Sequence, residues 1–213
     1  MGSLAKIGFE KRVIYECIVT TLCNNEADAA PMGVETYDLK QLVVRPYRSS
    51  KTYLNLAQTD HAVINLTNNP WLFYKTALKN KTGEKTLPRS IFKKTARGSV
   101  PKLKAADAYL EVSKIKEEDE GPDRANFTFK VDCVEAVNPC FRPYCRGDYA
   151  IIEATIHATR AKYYLSKGMK DEADKLIKLI EHYRGIVEKT SHSMDYMKII
   201  NAIISDVKPV KDS

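Results

Sequence analysis

From Val13 to Cys23 the chain runs Val-Ile-Tyr-Glu-Cys-Ile-Val-Thr-Thr-Leu-Cys, β-branched and aromatic enough to predict a strand. Asn24-Asn25 follows as a tight turn, because Asn tolerates left-handed backbone angles. A second extended run passes through Ala29-Ala30-Pro31-Met32-Gly33-Val34 to Tyr37, and Leu39-Lys40 turns the chain into a third strand, Gln41 to Pro46. Between Ser49 and Thr59 the period changes: Tyr53, Leu56 and Ala57 recur at helical spacing behind a serine cap. Ala62 to Leu66 reads as a buried strand, and Pro70 opens a short helix in the first-turn position where proline is favoured. Residues 79–104 are polar, basic and broken by Gly83, Pro88, Gly98 and Pro101, which predicts a long loop or insertion. Strands return at Ala108 to Ile115 and Ala125 to Val137, separated by an acidic turn from Glu117 to Asp123. Three helices then close the pattern, at Tyr149 to Tyr164, Glu172 to Val187 and Met194 to Val207. The chain is therefore expected to be α+β, with a β-rich domain over residues 10–147 and a helical subdomain over 148–208.

Charge changes this picture in one place. The 213 residues carry a net charge of +7, which suggests nucleic acid as a partner. Lys75 to Lys104, however, holds ten basic residues against Glu84 alone, so this stretch carries +9 and the remainder is slightly acidic. The stretch offers only Phe92 for base stacking, unlike the aromatic platforms of single-strand binders. A solvated loop, or a flap that attracts an anion, accounts for it better. Five cysteines form an odd set; Cys133, Cys140 and Cys145 match no zinc spacing and are expected to be free, buried thiols. No run approaches the length of a membrane span, and Met1 to Arg12 lacks the apolar core of a secretory signal, so a cytoplasmic location is expected.

Two neighbouring segments carry candidate chemistry. A helix N-terminus presents unpaired amides and the positive end of the helix dipole to an anion. Ser49-Ser50-Lys51-Thr52 adds hydroxyls and an ammonium at such an end, and no acid stands where a capping box would place one. Arg45 and Arg48 lie just upstream. Ala29-Ala30-Pro31-Met32-Gly33 has little side chain, and Pro31 cannot donate to a ladder, so this strand is expected at an edge or bulge where a flat group can approach. By themselves these features read more readily as a serine-capped helix and a bent strand.

The order of these motifs, with Val-Val-Arg-Pro-Tyr between them and Ala-Val-Ile-Asn-Leu after, resembles the flavin-reductase-like (pyridoxamine-phosphate-oxidase-like) split barrels. Within that group it is most similar to a largely archaeal FMN-binding family with a C-terminal helical extension, whose first extension helix resembles Ala150 to Arg160. The resemblance implies an antiparallel split β-barrel, with FMN as cofactor. It implies that Ser49, Ser50, Lys51 and Thr52 bind the FMN phosphate and that Ala30, Pro31, Met32 and Gly33 line the ring, with Arg45 and Tyr47 nearby and Asn65 as a polar contact. It also implies a homodimer with flavin at the interface. An FMN-dependent oxidoreductase acting by hydride or electron transfer is the leading expectation. A flavin carrier or sensor without turnover is the alternative, and a nucleic-acid module built on residues 75–104 a weaker one. Glu153, His157 and Arg160 share a helix face as a further, proton-handling candidate, against the plainer reading of a surface ion-pair face.

Overall fold

A computed structural model describes residues 4–77, 79, 86–137, 142–191 and 194–207. The chain separates into two compact units, Met1–Tyr144 and Cys145–Ser213.

In the first unit, β1 (Tyr15–Cys23) and β2 (Glu26–Glu35) form a hairpin around Asn24 and Asn25, whose φ angles of 50° and 60° give the twist-matched turn that short hairpins favour. β3 (Gln41–Val44) pairs with the end of β2 at Val34 and Glu35. α1 (Lys51–Gln58) leads into β4 (His61–Leu66), and α2 (Pro70–Ala77) follows. Two short strands, β5 (Phe92–Lys93) and β6 (Lys102–Leu103), pair with each other before the long hairpin of β7 (Ala108–Glu120) and β8 (Arg124–Ala136). The pairings β1–β2, β2–β3, β3–β8, β8–β7, β7–β4 and β4–β1 are all antiparallel and return to their starting strand, closing a barrel of 6 strands. Closure removes the open sheet edges, apart from the stretches where one strand overhangs its neighbour.

Two expectations need correction. The acidic stretch is strand rather than turn: β7 runs through to Glu120, leaving only Gly121 to Asp123 to reverse the chain, with Gly121 at φ 73°. Clustered carboxylates argue locally against a strand, but here Asp119 and Glu120 are held by Arg48 and Arg45. The basic stretch, over its described part, is docked rather than free. Leu87, Leu103 and Ala106 are buried with Ile18, Ala29 and Leu72, and Val100 is buried with Val63 and Tyr109. Thr95 donates to Glu111 at 2.7 Å, and Lys102 lies 3.8 Å from the Tyr109 ring while pairing with Glu135. The apolar anchors stand singly between lysines, so no period announces them.

The second unit consists of α3 (Arg146–Ser166), α4 (Lys170–Thr190) and α5 (Met194–Val207). Ala150, Ala154, Ala158 and Ala161 make a small-residue stripe on α3 that packs with Ile180 and Val187 of α4 and Ile200 and Val207 of α5. Repeats of three, four and seven residues along these helices are the helical expression of one buried face. Among the described residues no helix is long and apolar enough to cross a membrane.

Candidate functional site

The segment from Arg45 to Tyr53 is pinned before it becomes a helix. Arg48 N donates to Asp123 O at 2.9 Å and Ala125 N to Pro46 O at 3.3 Å, tying it to the β7–β8 turn. Ser50 then acts as N-cap of α1: its hydroxyl donates to Tyr47 O at 2.7 Å and accepts from Tyr53 N at 3.1 Å. The first turn is thus less open than expected, since Ser50 takes the Tyr53 amide and Leu54 N donates to Ser50 O. Among the described residues the amides of Lys51 and Thr52 meet no acceptor. These two donors, with the exposed Ser49 beside them, form the open, positive end of the helix dipole.

Lys51, Arg45 and Arg48 each hold a carboxylate. Lys51 Nζ lies 2.6 Å from Glu26 Oε1. Arg45 pairs with Glu35 at 2.9 Å and Glu120 at 3.0 Å, and donates to the Tyr37 hydroxyl at 2.7 Å. Arg48 binds Asp119 and donates to the Tyr53 hydroxyl at 2.9 Å. The hydrogen bond between Lys51 and Glu26 holds the Glu26 carboxyl below its ordinary range and the Lys51 ammonium above its own. The Lys51–Glu26 pair is exposed on both sides and so is open to displacement by a dianionic ligand, whereas Arg45 is held more firmly because Glu35 is buried. Tyr47 is exposed beneath the Arg124 guanidinium, which lies 4.0 Å from the ring centre.

On the neighbouring strand, the β1–β2 register runs without interruption through Pro31, opposite Ile18. β3 lies beside β2 only at Val34 and Glu35, so among the described residues no strand flanks residues 26–33 on the other side. Proline therefore sits at an edge rather than at a bulge. Ala30, Pro31 and Met32 are half-buried there. Gly33 has a different reason for being glycine: a Cβ would meet Ile14 Cγ2 at 2.9 Å, so its missing side chain makes room for Ile14.

The structure brings Ser49, Ser50, Lys51, Thr52, Arg45 and Tyr47 into one segment, but Thr52 is buried. Asn65 stands apart from them. It is fully buried, donates to Ile18 O and to the Thr20 hydroxyl, both at 2.8 Å, and accepts from Leu103 N at 2.8 Å. Its amide is consumed by the barrel, and it braces β1 and β6 from β4. Glu26 and Asp119, which hold Lys51 and Arg48, were not singled out from sequence; only their place in the fold reveals them. His157 is half-buried and stacks on Tyr183 at 5.8 Å, whereas Glu153 and Arg160 are exposed, so the three do not form a proton relay. Burial pushes the Cys17 and Cys145 thiols up, in keeping with inert core thiols; Cys133, expected to be buried, is only half-buried, and Cys140 lies outside the described residues. No group able to hold a metal ion occurs among the described residues.

Comparison with known proteins bears on this site. Residues 15–138 match the model "Protein of unknown function (DUF447) N-terminal domain", and residues 145–203 match "Protein of unknown function (DUF447)". No curated protein matches by sequence. Among solved structures, the chain is similar to the FMN-bound protein MM1853 from Methanosarcina mazei, with 23% identity and a TM-score of 0.55, covering 95% of this chain and 99% of that one. The flavin reductase HpaC, solved with NADP+, matches with 23% identity and a TM-score of 0.52 over 62% of this chain and 85% of its own. A flavin reductase domain protein from Arthrobacter sp. FB24 matches with 17% identity and a TM-score of 0.51 over 63% and 84%. At these identities the likeness is one of fold: the barrel is shared with all three, and the helical extension with the first.

Proposed function

Because the chain belongs to the DUF447 family, matched in both its barrel and its helical part, we propose that it is an FMN-binding flavoprotein that uses the flavin for redox chemistry. The observation that carries this reading is the end of α1: two amides without acceptors among the described residues, an exposed serine, the displaceable Lys51 and two flanking arginines gather where a phosphate monoester fits. The donor set suits the phosphate of FMN. The low-profile edge at Ala30 to Met32 suits a flat ring, with backbone groups available for its polar rim. That a full-length relative in fold is FMN-bound, and that two others are flavin reductases, supports the choice of flavin over other phosphate-bearing ligands.

In this reading Ser49, Lys51 and the α1 amides hold the phosphate, Ser50 keeps the amides in place by capping, and Arg45 and Arg48 supply positive potential. Bound FMN supplies hydride or electron transfer, and the protein orients it and excludes water. Titration of the purified protein with FMN tests binding. Anaerobic bleaching of the bound flavin by NADH or NADPH tests turnover. Binding without bleaching by either donor would favour a carrier or sensor, and absence of FMN binding would remove both flavin readings.

We also propose a homodimer, with a contact surface on α3. Tyr149, Ile152, Ile156 and Tyr163 are exposed at spacings of three, four and seven residues, which forms one apolar stripe. An antiparallel second copy centred on Ile156 would lay Tyr149 against Tyr163 of the partner subunit. Glu153 and Arg160, seven apart on the same flank, would then pair twice across the two-fold axis. Light scattering should report a dimer for the wild type and a monomer for Ile156→Glu. Glu153→Arg should weaken the dimer about tenfold, and adding Arg160→Glu should restore it. A monomeric wild type, or a double variant no better than the single one, would rule this surface out.

A further inference from the structure

A cleft of about 850 Å3 opens between the β1–β2 turn and the docked basic segment. That volume lies within the usual range for small-molecule sites. Arg89, Lys93 and Lys94 line it, and all three are exposed and make no ion pair among the described residues. Other cations of the same stretch are engaged: Lys79 with Asp28 at 2.5 Å, Arg97 with Asp132 at 3.3 Å and Lys102 with Glu135 at 3.5 Å. Among the described residues, then, three cations of the stretch fasten it to the barrel and another three face the cleft. The one acid in the lining, Glu26, is already held by Lys51. Leu22, Leu87, Phe92 and Pro101 provide an apolar side to the same space.

We propose that this cleft binds a small organic polyanion, a phosphate ester or polycarboxylate, with its charged end on Arg89, Lys93 and Lys94 and its carbon skeleton against Phe92 and Leu87. Arg89 supplies the planar fork that matches such oxyanions, and the two lysines add charge without fixing orientation. The walls are held in place. Leu103 N is bound to Asn65, Lys104 N donates to Ile91 O at 2.9 Å, and Thr95 is tied to Glu111, so the cations sit on a fixed backbone. The cleft also adjoins the phosphate anchor, because Glu26 lines the one and holds Lys51 of the other. Its role as the substrate side of a flavin reaction rests on the FMN reading; its capacity for an anion rests on its own lining.

Inorganic pyrophosphate is the probe, measured by calorimetry on FMN-saturated protein at low salt. Substituting Arg89→Ala, Lys93→Ala and Lys94→Ala together should weaken pyrophosphate binding at least about tenfold. FMN affinity in that variant should stay within about twofold, which also shows that it is folded. Lys170→Ala, Lys178→Ala and Lys189→Ala together remove the same charge from α4 and should leave pyrophosphate affinity unchanged. Equal weakening in both triple variants would reduce the effect to general field, and no weakening in either would remove the site. Pyrophosphate that binds only without FMN would be occupying the anchor, which also overturns the proposal. A protein that takes no FMN but loses pyrophosphate only in the cleft variant keeps the cleft and sinks the flavin reading. One that takes FMN while all variants bind pyrophosphate alike does the reverse.

Discussion

Replacing Lys51 with alanine is expected to lower FMN affinity about ten- to a hundredfold while leaving the unfolding midpoint nearly unchanged. The expected loss is that of one charge-assisted hydrogen bond to the phosphate, and the cost to folding is small because the side chain is exposed and its ion-pair partner Glu26 is exposed too. Glu26→Gln should act in the opposite direction. With the carboxylate gone, Lys51 no longer has to leave an ion pair before meeting the phosphate, so FMN should bind about two- to fivefold more tightly. The two variants together separate a phosphate contact from a structural one. A lysine that merely fastened α1 to β2 would make both substitutions destabilising and neither specific for the cofactor. Fluorescence quenching of FMN on binding gives the affinities, and equal FMN affinity in wild type and Lys51→Ala would remove the proposed anchor.

The parts of this site that were legible in the sequence are those whose physics is local. A serine before an amphipathic turn announces a helix cap within four residues, and Ser50 is that cap. Pro31 limits its strand to an edge or a bulge wherever it lies, and the edge is where it sits. Two asparagines between β-branched runs specify the hairpin. What was illegible depends on residues far apart in the chain. Asp119 and Glu120 make a convincing turn until Arg48 and Arg45, some seventy positions earlier, come to hold them in a strand. Leu87, Val100 and Leu103 are scattered among lysines and glycines, and they become a core only against β1, β4 and α2. The charge of the basic stretch was visible at once, yet only the fold divides it into fastening and cleft-facing cations. Gly33 shows the same limit on a small scale: a glycine next to Ala-Ala-Pro-Met suggested room for a ligand, and the room is taken by Ile14.

Asn65 is where local and distant reasoning part most clearly, and it supports the second large effect. A polar residue in the buried run Ala-Val-Ile-Asn-Leu invites a role in ligand binding, because a strand interior rarely admits an amide without cause. The cause here is the barrel itself. One side chain satisfies Ile18 O, the Thr20 hydroxyl and Leu103 N, and so joins β1, β4 and the return of the basic segment. Truncation to alanine strands those three partners away from water, at about 1–3 kcal/mol for each that finds no substitute, so a total loss of about 2–4 kcal/mol is expected. Denaturant unfolding should show the lower midpoint with an unchanged slope. The cost should also be localised: the Leu103 amide should lose its protection against hydrogen exchange before the other strands do, because the Asn65 oxygen that accepts from it has gone. A residue whose task was to contact the flavin would behave otherwise, with FMN affinity falling and the midpoint holding. An Asn65→Ala protein with wild-type stability and a protected Leu103 amide would therefore return this residue to the cofactor and withdraw it from the core.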